Sequence, residues 1–351
     1  MAPSEPMVST GFVLRFLTGV PSGRDDLGAG GVFMLRRMRL VGLFAFLTVP
    51  AVTGTSLAAP ITPTPIFGGA TDQIFPDANA SFIGWTHNTK AHPRHYNAYV
   101  QPMSGGVPTG GSVKLNTGTS FGWFGGIRPD ANEAAFQQTN ARQTQSDIRI
   151  VDLDVLPLAP TSPSGLNTSA WEFRPSISAS WILFGRNLGR RTRIYLYDRT
   201  LQTSIALASA RNRRNGNPRI LPDDVTEAYA TWTKCGAACN VYYYNLSTKV
   251  TTVVPNSGST HQYNGSVSDA TGDMYFASSG SGCGVRVEIL RWHIGDPLPY
   301  TVVATLPSGY DVTVRIATFN DGTNDNIFFD RVRCAGKFYS DIYEVPAANT
   351  A

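Results

Sequence analysis

The stretch FPDANASF, residues 75–82, holds four letters that return inside RPDANEAAF at 128–136: Pro-Asp-Ala-Asn. Related phrases continue along the chain. RPSISASWILF starts at Arg174, LPDDVTEAYATW at Leu221, VSDATGDMYFAS at Val267 and FNDGTNDNIFFD at Phe319. Aligned on the residue before the Asp or its substitute, they fall at Pro76, Pro129, Pro175, Pro222, Ser268 and Asn320, with spacings of 53, 46, 47, 46 and 52. Six copies at a period of about 47 residues are an internal repeat, and periods of that size belong to propeller blades.

The chemistry of the phrase predicts its place in a blade. Proline fixes φ, and Asp, Asn and Gly favour the turn that follows. Next come short apolar or alternating runs: SFIGW, EAAFQQ, WILFG, YATWT, MYFAS and NIFFD. Aromatic and β-branched residues bounded by turns read as strands. The phrase is therefore expected to be the hairpin turn between a blade's first and second strands. A second phrase follows each turn: NAYVQP (97–102), DIRIVDLD (147–154), RIYLYDRT (193–200), NVYYYNLS (240–247), VEILRWHI (287–294) and DIYEVP (341–346). It reads as the third strand, with runs such as TSIALAS and TVVATL as a fourth. The predicted fold is all-β: a six-bladed β-propeller of four-stranded antiparallel blades, with a seven-bladed ring or a β-sandwich as alternatives.

These two phrases resemble the repeats of TolB-type β-propellers, which pair a Ser-Pro-Asp-Gly-like turn with a DIYVVDL-like strand. SDIRIVDLD, 146–154, matches best, and the resemblance runs from about residue 66 to 346. No copy here has the complete Ser-Pro-Asp-Gly turn, and the sixth unit ends at its third strand. The segment ITPTPIFGG (61–69) is expected to supply the missing outer strand, closing the ring and removing an exposed edge. The resemblance implies protein contacts at the cell envelope, although fold does not fix function.

The chain has 351 residues, 34 of them Gly and 23 Pro, with 42% hydrophobic and 15% charged residues. That is a globular composition. A net charge of +4 is too small to argue for nucleic acid. MLRRMRLVGLFAFLTVPAVTGTSLAAP (34–60) places Arg36, Arg37 and Arg39 before an apolar run from Leu40 to about Val52, then small residues at Ser56 and Ala58. This is a secretory-signal pattern, and the run is short for a hydrocarbon core of ~30 Å. The expected organisation is an upstream extension over 1–33, a signal peptide over 34–58 and a propeller domain over 59–351. The exported product, secreted or periplasmic, is expected to be monomeric, with no membrane span after cleavage. Export makes disulfides the default reading of Cys235, Cys239, Cys283 and Cys334. Cys235 and Cys239 flank one tight turn, and Cys283 and Cys334 fall in equivalent loops of adjacent blades, so the expected pairs are 235–239 and 283–334.

In a four-stranded meander the second-to-third loops share a face with the blade-to-blade loops. There, GRNLGRRTR (185–193) and SARNRRNGNPR (209–219) bring Arg186, Arg190, Arg191, Arg193, Arg211, Arg213, Arg214 and Arg219 together. Guanidinium groups bond carboxylates and phosphates bidentately, so the candidate partner is an acidic protein or an anionic envelope polymer or glycan. A solvated basic surface is the plainer alternative. His87, His92 and His95 cluster in one loop without a carboxylate and read as a surface coincidence. GTSFG (118–122) matches Gly-x-Ser-x-Gly but lacks the strand–turn–helix context of a nucleophile. NDGTNDN (320–326) lacks the EF-hand spacing. Trp85, Trp181, Trp232 and Trp292 read as packing between blades. No catalytic residue, cofactor or metal is assigned. The expected function is a non-catalytic binding or scaffolding module. The rival is a polysaccharide lyase or glycosidase, for which Asp223, Asp224 and Glu227 are the nearest acidic group.

Overall fold

The repeated phrases fold as strands. A computed structural model describes residues 61–348 except 69–70, 90–91, 256–260, 298–299 and 336–338. The signal segment and upstream extension read from the sequence lie outside the described residues. Among the described residues there is no helix, and the strands pair antiparallel within blades, with one parallel contact, Trp171 to Ser146, that joins two neighbouring blades into a seven-stranded sheet.

Blade 1 comprises Gln73–Ala78, Phe82–Thr89 and His92–Ser104, with Val113–Lys114 on its outer side. Blade 2 comprises Gly122–Ile127, Glu133–Thr139 and Ser146–Asp152, with Thr161 bridging Ile150 at the edge. Blade 3 runs Trp171–Ile177, Trp181–Leu188, Arg191–Asp198 and Thr203–Arg211. Blade 4 runs Ile220–Val225, Tyr229–Cys235, Cys239–Asn245 and Thr251–Val253. Blade 5 runs His261–Val267, Asp273–Ser279, Glu288–His293 and Thr301–Thr305. Blade 6 joins Tyr310–Asn320, Asn324–Arg333 and Ser340–Ala348 to Thr64–Phe67 from the other end of the chain. That last pairing aligns Thr64 with Glu344 and Phe67 with Ile342, so the outer strand of the final blade comes from residues before the first.

The first strand of each blade packs against the first strands of its two neighbours, blade 6 against blade 1 included, which makes a closed β-propeller. A buried apolar cluster lies at each of the six seams. Phe124 and Phe136 pack with Val100 between blades 1 and 2, Phe184 with Ile148 between 2 and 3, and Trp232 with Leu196 between 3 and 4. Phe276 packs with Val241 between 4 and 5, Phe329 with Ile289 between 5 and 6, and Phe328 with Ile83 and Trp85 between 6 and 1. Every third-strand phrase lies on a third strand.

The repeated turn phrase is corrected in phase. Pro129 and Ser268 do sit in first-to-second hairpins, and Asn320 ends its strand beside one. Pro76, Pro175 and Pro222 instead lie within first strands. There the pairing with the second strand slips, between Ile74 and Asp77, Phe173 and Ser176, and Pro222 and Asp224. The same slip recurs in the other three first strands. A bulge leaves a ladder bond unmade, and proline has no N–H to offer that bond. The tryptophans are also unequal. Trp85 and Trp232 are buried mid-strand residues of second strands, whereas Trp181 opens its strand and Trp292 belongs to a third strand.

Two disulfides tie the loop-bearing face: Cys235–Cys239 within the blade 4 hairpin, and Cys283–Cys334 between the corresponding loops of blades 5 and 6.

Gly84 shows how tightly one seam closes. A Cβ there would come within 2.0 Å of the Phe124 ring across the gap between blades 1 and 2. Gly84→Ala should therefore cost about 1–3 kcal/mol of stability. Gly111→Ala, where a Cβ would meet nothing within 4 Å, should change little. Urea unfolding of the two variants compares them directly. Equal midpoints would mean that the seam is looser than described.

Candidate functional site

Two polar regions stand out: one in the middle of the ring, the other on the face carrying the second-to-third loops.

The middle of the ring is filled by charge. Arg315, from the first strand of blade 6, is 3% exposed. Its Nη2 lies 3.0 Å from Asp77 Oδ2 of blade 1 and 3.7 Å from Asp224 Oδ1 of blade 4. Its Nη1 donates to the carbonyl of Gly125 in blade 2, and to that of Pro175 in blade 3 at 3.2 Å. Blade 5 joins through Asp224, whose Oδ2 accepts from Ser266 Oγ at 2.8 Å and Val267 N at 3.1 Å. Arg174, half-buried in the ring, donates to Val314 O and lies over the Phe75 ring. Asp223 Oδ2 accepts from Thr233 Oγ1 at 2.6 Å and Gly265 N at 3.2 Å. Asp330 accepts from Thr313 Oγ1 and from the N–H groups of Val314 and Arg315.

Burial dominates the electrostatics. It pushes Asp77 up to about 7, against the pull of Arg315, with Asp224 adding to the rise. It pushes Asp223 up to about 6, against Arg174. Asp330 moves upward for the same reason, and burial brings Arg174 down to about 10. Four carboxylates thus face two guanidinium groups. No histidine joins them among the described residues. Asp223 and Asp224 belong to this buried group rather than to the arginine-rich face, and Glu227 sits in the first-to-second hairpin of blade 4.

Sequence reasoning missed this hub because Asp77 and Asp223 read as turn residues. A signal was present: Arg315 is a lone charge inside the apolar run VTVRIATF (312–319), and such a residue is buried only when paired.

On the loop face, the two arginine-bearing segments lie side by side. Arg191 and Arg211 are direct cross-strand partners in blade 3. Asn212 fastens the segments together: its Oδ1 accepts from Thr192 Oγ1, its Nδ2 donates to Asn187 Oδ1 and Gly189 O, and its N–H bonds Arg190 O. Arg190, Arg191, Arg193, Arg211, Arg214 and Arg219 are exposed, and none forms an ion pair among the described residues. Arg213 is half-buried, its pKa lowered by burial and then by Arg219. Arg186 is engaged elsewhere. It pairs with Glu172 at 2.7 Å, donates to Leu166 O and lies over the Phe184 and Tyr195 rings.

The remaining motifs have local roles. His95 stacks on Phe121 at 4.3 Å, and His87 meets Tyr99 edge-on; the His92 side chain lies outside the described residues. Ser120 is buried and donates to Thr117 O. In NDGTNDN, Asp321 accepts from Thr323 N, Asn324 N and Asn326 Nδ2, which pulls it down to about 2.

No protein-family model matches the chain, and neither does any curated protein. Among solved structures it is similar to TolB from Acinetobacter baumannii, at 14% identity over 76% of this chain and 64% of that one, with a TM-score of 0.49. It is also similar to the β-propeller domain of the Trilobed protease from Pyrococcus furiosus, at 11% identity over 80% and 98% of the two chains, TM-score 0.46. A third is an acylaminoacyl peptidase from Pyrococcus horikoshii, at 8% identity over 75% and 43%, TM-score 0.44. The chain thus spans less than two thirds of TolB and less than half of that peptidase. The propeller architecture is carried by this chain's own strand order and ring closure.

The raised carboxyl groups predict a pH dependence. A carboxyl whose folded pKa lies above its unfolded value binds protons more tightly when folded. Its contribution is complete below the unfolded value and is lost as pH rises through the folded one. His87 and His261, lowered by burial from 6.5, act oppositely, but only up to that value. From about pH 6.5 to 8 stability should therefore fall, and Asp77→Asn should flatten that fall. Urea midpoints across this range measure it. A slope unchanged in Asp77→Asn would remove the hub as its source.

Proposed function

We propose that this protein is a non-catalytic, exported propeller that binds an anionic partner, an acidic protein or an envelope polymer, through the loop face of blades 3 and 4. The observation that carries the reading is the Arg191–Arg211 pair. Like charges directly opposite in a sheet destabilise it by ~0.2–1 kcal/mol, yet here they are opposed and flanked by Arg190, Arg193 and Arg214 without ion-pair partners among the described residues. An anion lying across the two strands would turn that repulsion into paired attraction. The two disulfides suit an oxidising compartment. The resemblance of the repeats to TolB-type propellers adds an expectation of protein contacts at the cell envelope.

The rival reading, a polysaccharide lyase or glycosidase, would need solvent-facing acidic groups, about 5–10 Å apart for a glycosidase. The carboxylates that converge on the ring are largely buried and bonded to arginines, hydroxyls or backbone N–H groups, so they lend it no support.

The test is retention on an immobilised sulfated polysaccharide, with capture from envelope extract run beside it. Arg190→Ser/Arg191→Ser/Arg211→Ser/Arg214→Ser should elute at a salt concentration lower by roughly 0.1 M or more, since exposed charge is screened over ~8–10 Å near physiological salt. It should also lose the acidic partner captured by the unaltered protein. Identical elution and capture would sink the arginine face as the binding surface.

A further inference from the structure

The outermost strand of blade 3, Thr203–Arg211, has nine residues. The other outer strands are shorter: two residues at Val113–Lys114, three at Thr251–Val253, five at Thr301–Thr305 and four at Thr64–Phe67, while blade 2 has only the bridge at Thr161. Sheet edges invite other chains to pair, and proteins blunt them by shortness, by Pro or Lys, or by cover. Those five edges are all short. Lys114 and Pro65 stand on two of them, and Ile61 N donates to Val303 O at 2.9 Å on the edge of blade 5. Blade 3 is the exception: TSIALASA, 203–210, holds no charge and no proline.

The strand is open to solvent. It ends its sheet, paired to Arg191–Asp198 on one side and to no strand on the other among the described residues. Ile205, Ala206 and Ser209 are exposed. The ladder decides which backbone groups face outward. Asn212 N donates to Arg190 O at 2.9 Å, and opposed residues in an antiparallel ladder alternate between exchanging their bonds and turning them away. Counting back from Asn212, Ala210 opposite Thr192 bonds inward. Arg211 opposite Arg191 and Ser209 opposite Arg193 turn their N–H and C=O groups outward. The open edge therefore runs into the arginine pair, and ladder groups and guanidinium groups lie along one line.

This chain already completes an edge by adding a distant segment, since Thr64–Phe67 pairs with Ser340–Ala348 from the other end of the sequence. A second polypeptide could do the same at blade 3. A polysaccharide has no backbone ladder to offer; an acidic protein offers both the ladder and the carboxylates. Antiparallel addition, the more stable arrangement per residue, sets the acidic residues at the N-terminal end of the added segment.

We propose that the outer edge of blade 3 binds an extended segment of an acidic protein by antiparallel strand addition. Its β-branched residues lie along Thr203–Ala210, and its Asp or Glu residues lie beside Arg211 and Arg191. This rests on the anionic-partner reading and names the partner's class and its mode of contact.

The test is fluorescence polarisation with a labelled peptide of three Asp followed by alternating Thr and Val over six residues. It should bind with a dissociation constant on the order of 0.1 mM. Ser209→Pro removes an outward N–H and no ladder bond. It should weaken binding about tenfold and leave elution from the sulfated polysaccharide unchanged. Arg191→Ser/Arg211→Ser should weaken binding by a similar factor. An added strand uses one of its own edges, so peptides N-methylated at odd and at even positions should differ about tenfold in affinity. That comparison uses the unaltered protein and stands even where Ser209→Pro does not fold. The proposal is overturned if no peptide binds at several times that concentration, or if the two methylated peptides bind alike. It is also overturned if the protein sediments as a dimer that Ser209→Pro dissolves, which would give the edge to a second copy. Weakening by the arginine changes but not by Ser209→Pro would remove strand addition and leave the anionic reading standing. Weakening by neither would remove both.

Discussion

The Arg315 guanidinium touches blades far apart in sequence at a single point. From blade 6 it reaches Asp77, Gly125, Pro175 and Asp224, one residue in each of blades 1 to 4, and Asp224 passes the connection to blade 5. Burying a charge costs several kcal/mol unless partners replace its water, so this arginine is tolerable only when the ring is closed. Two glycines make room for it. A Cβ at Gly126 would come within 2.9 Å of Asp77 Oδ2 and 3.4 Å of Arg315 Nη2, and one at Gly125 within 2.4 Å of Pro175. Backbone approaches arginine and the neighbouring blade in the same two residues.

The hub also explains why six separate bulges persist. Each bulge leaves backbone N–H groups without a ladder partner, and side chains of neighbouring strands take them up. Asp77 accepts from Ile127 N, Ser176 from Val225 N and Asp224 from Val267 N, each reaching one blade onward. Thr86 accepts from Phe124 N and Thr233 from Asn264 N across the same kind of seam. The backbone strain is local: Phe75, Arg174 and Asn264 adopt positive φ at these bulges, a conformation such residues hold only when their surroundings fix it. Polar residues in first strands thus join blades where apolar seams alone would not fix register.

This division accounts for what the sequence made legible. The third-strand phrases could be located because alternation and β-branched composition answer to one constraint, a strand packed on both sides. The Pro-Asp phrases could not be phased, because the same two residues suit a hairpin turn at Pro129 and a bulge at Pro76 or Pro222. Pro fits wherever an N–H is not wanted, and Asp wherever one nearby needs an acceptor. The arginine-rich loops were visible as composition, but only the register separates Arg191 and Arg211, which face each other, from Arg186, which Glu172 holds.

A centre fixed by buried charge has a consequence for the loop face. With register set by the hub and the seams, the loops at the far ends of the strands carry little of the burden of folding, and such loops are where recognition concentrates. On this face the chain uses that freedom in two different ways. Blades 5 and 6 are cross-linked through Cys283–Cys334, which holds their hairpins together. Blade 3 instead keeps like charges opposed, a local cost in the free protein. A fold that depended on these loops for its stability could not carry such costs; one stabilised from its axis can.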